Sequence, residues 1–145
     1  MSDFRSGFVA IVGRPNAGKS TLINALVGSK IAITSHHPNT TRHAIRGILN
    51  GPDFQAVLVD TPGVHKPKTL LGHRLNAVVD HSMDSVDAII MCLPADEDSG
   101  AGDVFIAAEI AKHPKAKKIA VITKTDLLSK KSLANRLVGI NDLAK

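Results

Sequence analysis

Gly13-Arg14-Pro15-Asn16-Ala17-Gly18-Lys19-Ser20 is the stretch that decides how this chain folds. Residues 8–12 before it are continuously apolar and residues 19–27 carry a helical pattern, so it is a G-x-x-x-x-G-K-[ST] loop set between a strand and a helix. Its glycines let the backbone curl until successive N–H groups point inward. The helix that follows adds the positive end of its dipole, and the product is a cradle for phosphate. In such a cradle Lys19 reaches between a β- and a γ-phosphate, and the Ser20 hydroxyl gives one oxygen to an octahedral Mg²⁺. Gly13, Arg14, Pro15, Asn16, Ala17, Gly18, Lys19, Ser20 and Thr21 are therefore the candidate phosphate-binding residues, with Lys19 also a candidate catalytic group and Ser20 a candidate metal ligand.

Outward from the loop, residues 56–59, 88–93 and 119–122 are further apolar runs rich in Val and Ile, as strands covered on both faces are. Helical patterns at 70–83, 103–112 and 133–143 follow them, which predicts parallel strands with crossover helices. Residues 44–49 break that rhythm. They run into Asn50-Gly51, a dipeptide that tolerates the positive φ of a tight hairpin turn, and straight on into the next apolar run. An antiparallel edge strand is expected. No repeat, low-complexity tract or linker interrupts the chain, so the expected architecture is one α/β domain over 1–145: a three-layer P-loop NTPase fold with a mostly parallel sheet.

Composition narrows the class. A chain of 145 residues has room for one core, and its 43% hydrophobic and 21% charged residues favour a folded domain over a disordered one. The net charge of +5 is a mild bias toward polyanions. The basic clusters at 112–118 and 130–136 hold no aromatic stacking partner, and they read as solvated helix faces. Cys92 is the single cysteine, so no internal disulfide forms, and its apolar neighbours make it a buried small hydrophobe. The longest apolar stretch is far below the roughly 20 residues of a membrane span, and residues 1–7 lack a signal-peptide core. A cytoplasmic protein is expected.

Two more segments should meet the phosphate loop. Asp60-Thr61-Pro62-Gly63 follows the run 56–59, which brings the Asp60 carboxylate to the carboxyl end of the sheet, where it can hold Mg²⁺ through water. Gly63 can lay its N–H against a γ-phosphate, so Thr61, Pro62 and Gly63 join the candidate nucleotide residues and Gly63 the candidate catalytic ones. The polar stretch 34–42 is an irregular loop in which Thr40 or Thr41 can complete the metal shell. Thr123-Lys124-Thr125-Asp126 closes the last strand on the same edge. The Asp126 carboxylate can accept from both N1–H and the 2-amino group of guanine, and adenine offers neither. Lys124 can lay its stem on the base, and Thr123 completes the base-reading set.

With GRPNAGKS at 13–20, ITSHHPNTTRHAIRGI at 33–48, DTPGVHKP at 60–67 and TKTD at 123–126 in order, the chain resembles the Era-like members of the TrmE/Era family of P-loop GTPases over nearly its whole length. The TTR tract followed by Gly47-Ile48 is the most discriminating part, and it favours Thr41, directly before Arg42, as catalytic and metal-binding. The resemblance implies GTP and GDP binding with Mg²⁺, slow hydrolysis, and a role in 16S rRNA processing and 30S subunit assembly. It also implies a monomer, peripheral inner-membrane association and a C-terminal KH domain for rRNA, of which this chain holds no GXXG segment.

Some positions depart from the family pattern. Thr123 stands where Asn is usual, so its contact with the phosphate loop is expected to be weaker, at the expense of affinity more than specificity. The chain ends at Lys145 before the strand, serine-alanine loop and final helix that the resemblance implies, so the domain is expected to be partial. Val64 stands where many GTPases place a water-orienting Gln, and Asn16 matches a residue that binds K⁺ in some relatives. K⁺-assisted turnover on the order of 10⁻³ s⁻¹ is the expectation. Arg14 and Arg42 read as salt-bridge or phosphate contacts rather than arginine fingers, and His36, His37 and His43 as solvated loop residues. A guanine-nucleotide-binding module with little or no turnover, and an ATP-dependent enzyme, stay open as alternatives.

Overall fold

The computed structural model describes residues 3–28, 44–60 and 83–143. Along the chain they form β1 (Arg5–Val12), α1 (Lys19–Val27), β2 (Ala44–Asn50), β3 (Phe54–Asp60), β4 (Ala88–Pro94), α2 (Ala101–Ala111), β5 (Lys117–Thr123), a 3-10 turn (Thr125–Leu127) and α3 (Lys130–Leu143). The five strands make one sheet in the order β2-β3-β1-β4-β5. β1 pairs in parallel with both β3 and β4, β4 pairs in parallel with β5, and β2 runs antiparallel to β3. The expected mixed sheet is therefore present. The turns that leave β1 and β5 open on the same edge, with β4 between the two strands.

Side-chain alternation sorts the core into two layers. Ala10, Val12, Val59, Ile89, Met91 and Leu93 face Ile106 and Ile110 of α2 and Ile140 of α3. Ile11, Leu58 and Cys92 face the opposite way, against Ile23 of α1. Period-two burial on both sides is what continuously apolar strands require. Val27 of α1 packs so close to β2 that a Cβ on Gly47 would sit 2.5 Å from its Cγ2, which gives the discriminating glycine of the sequence a packing role.

Several boundaries differ from the sequence expectation. β1 begins at Arg5 because its polar lead-in pairs with β3, Arg5 opposite Phe54. β5 begins at Lys117, opposite Ala88, although Lys117 and Lys118 are not apolar. α3 begins at Lys130 because the Ser129 hydroxyl accepts from the Ser132 backbone N–H at 3.2 Å and caps the first turn. The Asn50-Gly51 turn is corrected. Asn50 remains in β2 opposite Gln55, and the connection is Gly51-Pro52-Asp53, closed by Gly51 N–H to Phe54 O at 2.8 Å. Neither Asn50 nor Gly51 takes a positive φ. Pro52, locked near a φ of about −65°, builds a different turn. The helix expected over 70–83 lies outside the described residues except for Met83, which is buried.

Candidate functional site

The phosphate loop forms as its glycines require. Gly13 leaves β1 so close to β4 that a Cβ there would meet Cys92 O at 2.9 Å. Asn16 has a φ of 61° and Gly18, the N-cap of α1, a φ of 88°. A left-handed turn at Gly18 costs nothing in side-chain clash. The first turn of α1 carries no acidic residue, and no side chain caps it. Its leading amides are the kind of donors that bind anions. Lys19 Nζ donates to Gly13 O and Arg14 O, both at 2.8 Å, so the ammonium is seated over the loop. Ser20 and Thr21 are exposed on that turn. Pro15 and Asn16 are exposed at the crest of the loop and Ala17 is buried beneath it.

The end of β5 lies against this loop, and the contact expected of Thr123 is present. Thr123 Oγ1 donates to Ala17 O, a direct bond between residues 106 positions apart. A hydroxyl is shorter than an Asn amide, yet it reaches because Gly18 has no side chain. A Cβ on Gly18 would stand 3.1 Å from Thr123 Cβ. The segment then turns sharply. Lys124 takes a φ of 56° at the start of the 3-10 turn, its Nζ lies 3.7 Å from Asp96 Oδ1, and Asp126 is exposed within the turn. The loop that follows β4 supports it, since Ala95 N–H donates to Thr123 O at 2.9 Å.

Asp60 is the last residue of β3, and its backbone pairs with Ile11 of β1 and Ala44 of β2. Thr41, Thr61, Pro62 and Gly63 lie outside the described residues. The structure thus brings Ala17 and Gly18 against Thr123, from which Lys124, Thr125 and Asp126 continue, and sets the end of β3 beside β1. Among the described residues no cluster of three or more His, Cys, Asp or Glu side chains forms a metal site, and no helix is long and apolar enough to cross a membrane.

Arg14 makes a salt bridge, one of the two roles expected of it, but sequence reading did not find its partners. Arg14 Nε donates to Asp103 Oδ1 of α2 at 2.9 Å, and its Nη1 to Glu97 Oε2, in the loop before that helix, at 3.0 Å. Burial alone would lower the Arg14 pKa, but its bonds to these carboxylates and their charges more than offset that and hold it raised. Asp103 is wholly buried. The one available signal was Gly100-x-x-Asp103 ahead of an apolar run, a helix start in which Asp103 Oδ2 accepts from Gly100 N–H at 3.0 Å. Arg136 is a second correction. It belongs to a cluster read as solvated, yet it is buried and donates to Ser99 Oγ and Pro94 O. Cys92, under the loop, has its thiol pushed up to about 11 by burial, although the Lys19 charge pulls the other way.

Known proteins are similar to this chain. The family described as 50S ribosome-binding GTPase matches residues 8–124. GTPase Era of Streptomyces coelicolor is 59% identical over 141 residues, which is 97% of this chain and 44% of that protein. GTPase Era of Leifsonia xyli is 55% identical over 143 residues, 99% of this chain and 48% of its own length. The chain spans about half the length of the curated relatives it matches. Among solved structures, Era in complex with MgGDPNP and nucleotides 1506–1542 of 16S ribosomal RNA aligns with a TM-score of 0.74 and 36% identity, over 97% of this chain and 47% of that one. A variant of Aquifex aeolicus Era bound to GDP and AlF4⁻ aligns with a TM-score of 0.75 and 33% identity, over 94% and 47%. A matched family across most of the chain, on a fold shared with Era structures, means that this chain belongs to the 50S ribosome-binding GTPase family, among its Era-type members.

Proposed function

We propose that this chain binds GTP and GDP with Mg²⁺ and hydrolyses GTP to GDP and phosphate as a molecular switch. The observation that carries the reading is the Thr123 to Ala17 bond, which ties the end of β5 to the loop after β1 at one edge of the sheet. In this reading the amides from Gly13 to Thr21 and the Lys19 ammonium take the phosphates. Asp126 reads guanine, Lys124 covers the base, and Thr61, Pro62 and Gly63 meet the γ-phosphate.

The donors suit a hard divalent ion. An exposed Ser20 hydroxyl stands on the first turn of α1 and Asp60 ends the neighbouring strand, so Ser20, Asp60 and Thr41 would supply oxygen ligands. The metal would neutralise charge on the phosphates. The Asn16 side-chain amide oxygen would ligate a K⁺ ion, and the ion would be the polarising element that Val64 cannot supply.

The larger role rests on the relatives. A partner made of 16S rRNA, work in 30S assembly through a KH domain outside this chain, a monomeric state and a cytoplasmic place with peripheral inner-membrane contact all belong to this proposal. Competition of GTP, GDP and ATP for a fluorescent guanine nucleotide, with Mg²⁺ present, tests its foundation. Guanine nucleotides should displace the probe and ATP should not. Asp126→Asn should move the preference to xanthine nucleotides, and turnover should be faster in K⁺ than in Na⁺. Equal displacement by ATP and GTP refutes the base assignment, and equal turnover in the two salts refutes the K⁺ site.

A further inference from the structure

The Arg14 side chain and the Arg14 backbone do different things. The guanidinium is held at the start of α2 by Asp103 and Glu97, at 2.9 and 3.0 Å. The carbonyl accepts from Lys19 Nζ at 2.8 Å and from Ala17 N–H at 3.2 Å. One residue therefore links a fixed point on a helix to the ammonium of the phosphate loop.

The fixed point is firm for a physical reason. Asp103 has no exposed surface, and a carboxylate taken out of water is costly unless its oxygens are bonded and its charge is matched. One oxygen takes Arg14 Nε and the other takes Gly100 N–H. Glu97 is half-exposed and contributes less, because water screens it. Gly102 confines the arginine stem from below, since a Cβ there would come within 3.1 Å of Arg14 Cδ. Capping α2 needs only the bond to Gly100. Seating a residue of the phosphate loop is a separate task that the same carboxylate performs.

We propose that Asp103 is a positioning residue for the phosphate loop: by seating Arg14 it holds the Arg14 carbonyl under Lys19 and so aims the ammonium at the second phosphate of a bound guanine nucleotide. The inference rests on the nucleotide reading above and adds the group that sets the lysine. It separates two ligands. GDP carries the β-phosphate that Lys19 reaches, whereas GMP keeps the base and the α-phosphate but lacks that group.

The test measures GDP and GMP affinities of the 145-residue chain by displacement of a fluorescent guanine nucleotide, with a melt of each nucleotide-free variant. Asp103→Asn and Arg14→Gln should each weaken GDP roughly tenfold while GMP stays within about twofold, and the double variant should be no weaker than the poorer single one. Arg14→Lys, which can keep the bond to Asp103, should return GDP to within about threefold of wild type. Gly102→Ala disturbs the arginine stem without touching either charge and should weaken GDP about threefold. If Asp103→Asn does not fold, Arg14→Gln and Gly102→Ala decide. Unchanged GDP affinity in those two, or equal losses for GDP and GMP, overturns the proposal. A wild-type chain that takes up no guanine nucleotide would instead remove the functional reading beneath it.

Discussion

Thr123→Val is the most telling substitution. It keeps the shape that packs on Gly18 and deletes only the hydroxyl that donates to Ala17 O. A neutral hydrogen bond contributes about 1 kcal/mol net, and a buried acceptor left without its donor costs about 1–3 kcal/mol. Ala17 is 1% exposed, so water cannot readily replace the lost donor. If the bond holds the two loops at the spacing a nucleotide needs, binding must then restore it from the ligand's own free energy. A loss of about 1.4 kcal/mol raises the Kd for GDP tenfold. Thr123→Ser keeps the hydroxyl and should bind within about threefold of wild type. Thr123→Asn offers an amide donor from one atom further out and should fall between Ser and Val. Fluorescence titration gives the affinities, and urea unfolding of the nucleotide-free chain gives the separate stability cost. A Thr123→Val chain that loses stability but binds GDP within about twofold of wild type would refute the reasoning.

Two other outcomes are expected. The Cys92 thiol is raised from 9.0 to about 11 by burial, so the folded state favours the protonated form. That contribution is complete below the ordinary thiol range and disappears as pH rises through the folded value. The two-unit difference is worth roughly 3 kcal/mol, so urea midpoints should fall more steeply between about pH 9 and 11 for the wild type than for Cys92→Ala. Parallel pH curves for the two would contradict this. Ser129→Ala removes the bond to Ser132 N–H and should cost about 1 kcal/mol in unfolding while leaving GDP affinity unchanged, since α3 begins after the base-reading turn.

What was legible in the sequence was what short-range pattern encodes. The loop from Gly13 to Ser20, the apolar strands and the antiparallel edge all rest on neighbours within a few residues, where periodicity and glycine placement carry the signal. The Arg14 to Asp103 pair joins positions 89 residues apart, and no local feature announces it. The partner of Thr123 was not legible, because its bond to Ala17 O depends on the bare Gly18 that lets the strand end approach the loop. Arg136 looked solvated because charge runs usually are. Its burial follows from where α3 meets the end of β4, with Pro94 O and Ser99 Oγ as acceptors. Asn50-Gly51 pointed to a tight hairpin turn with positive φ, and Pro52 one position further on was the stronger constraint.

The central strand also bears on how this protein can be handled. β1 has eight residues, and at about 3.3 Å each its start lies roughly 26 Å from Gly13, at the opposite end of the sheet from the candidate site. A chain tethered to a sensor surface through its amino end would hold the phosphate loop toward the flowing solution. With no Trp or Tyr in the sequence, a single indole introduced beside Lys124 would then report ligand arrival without background emission.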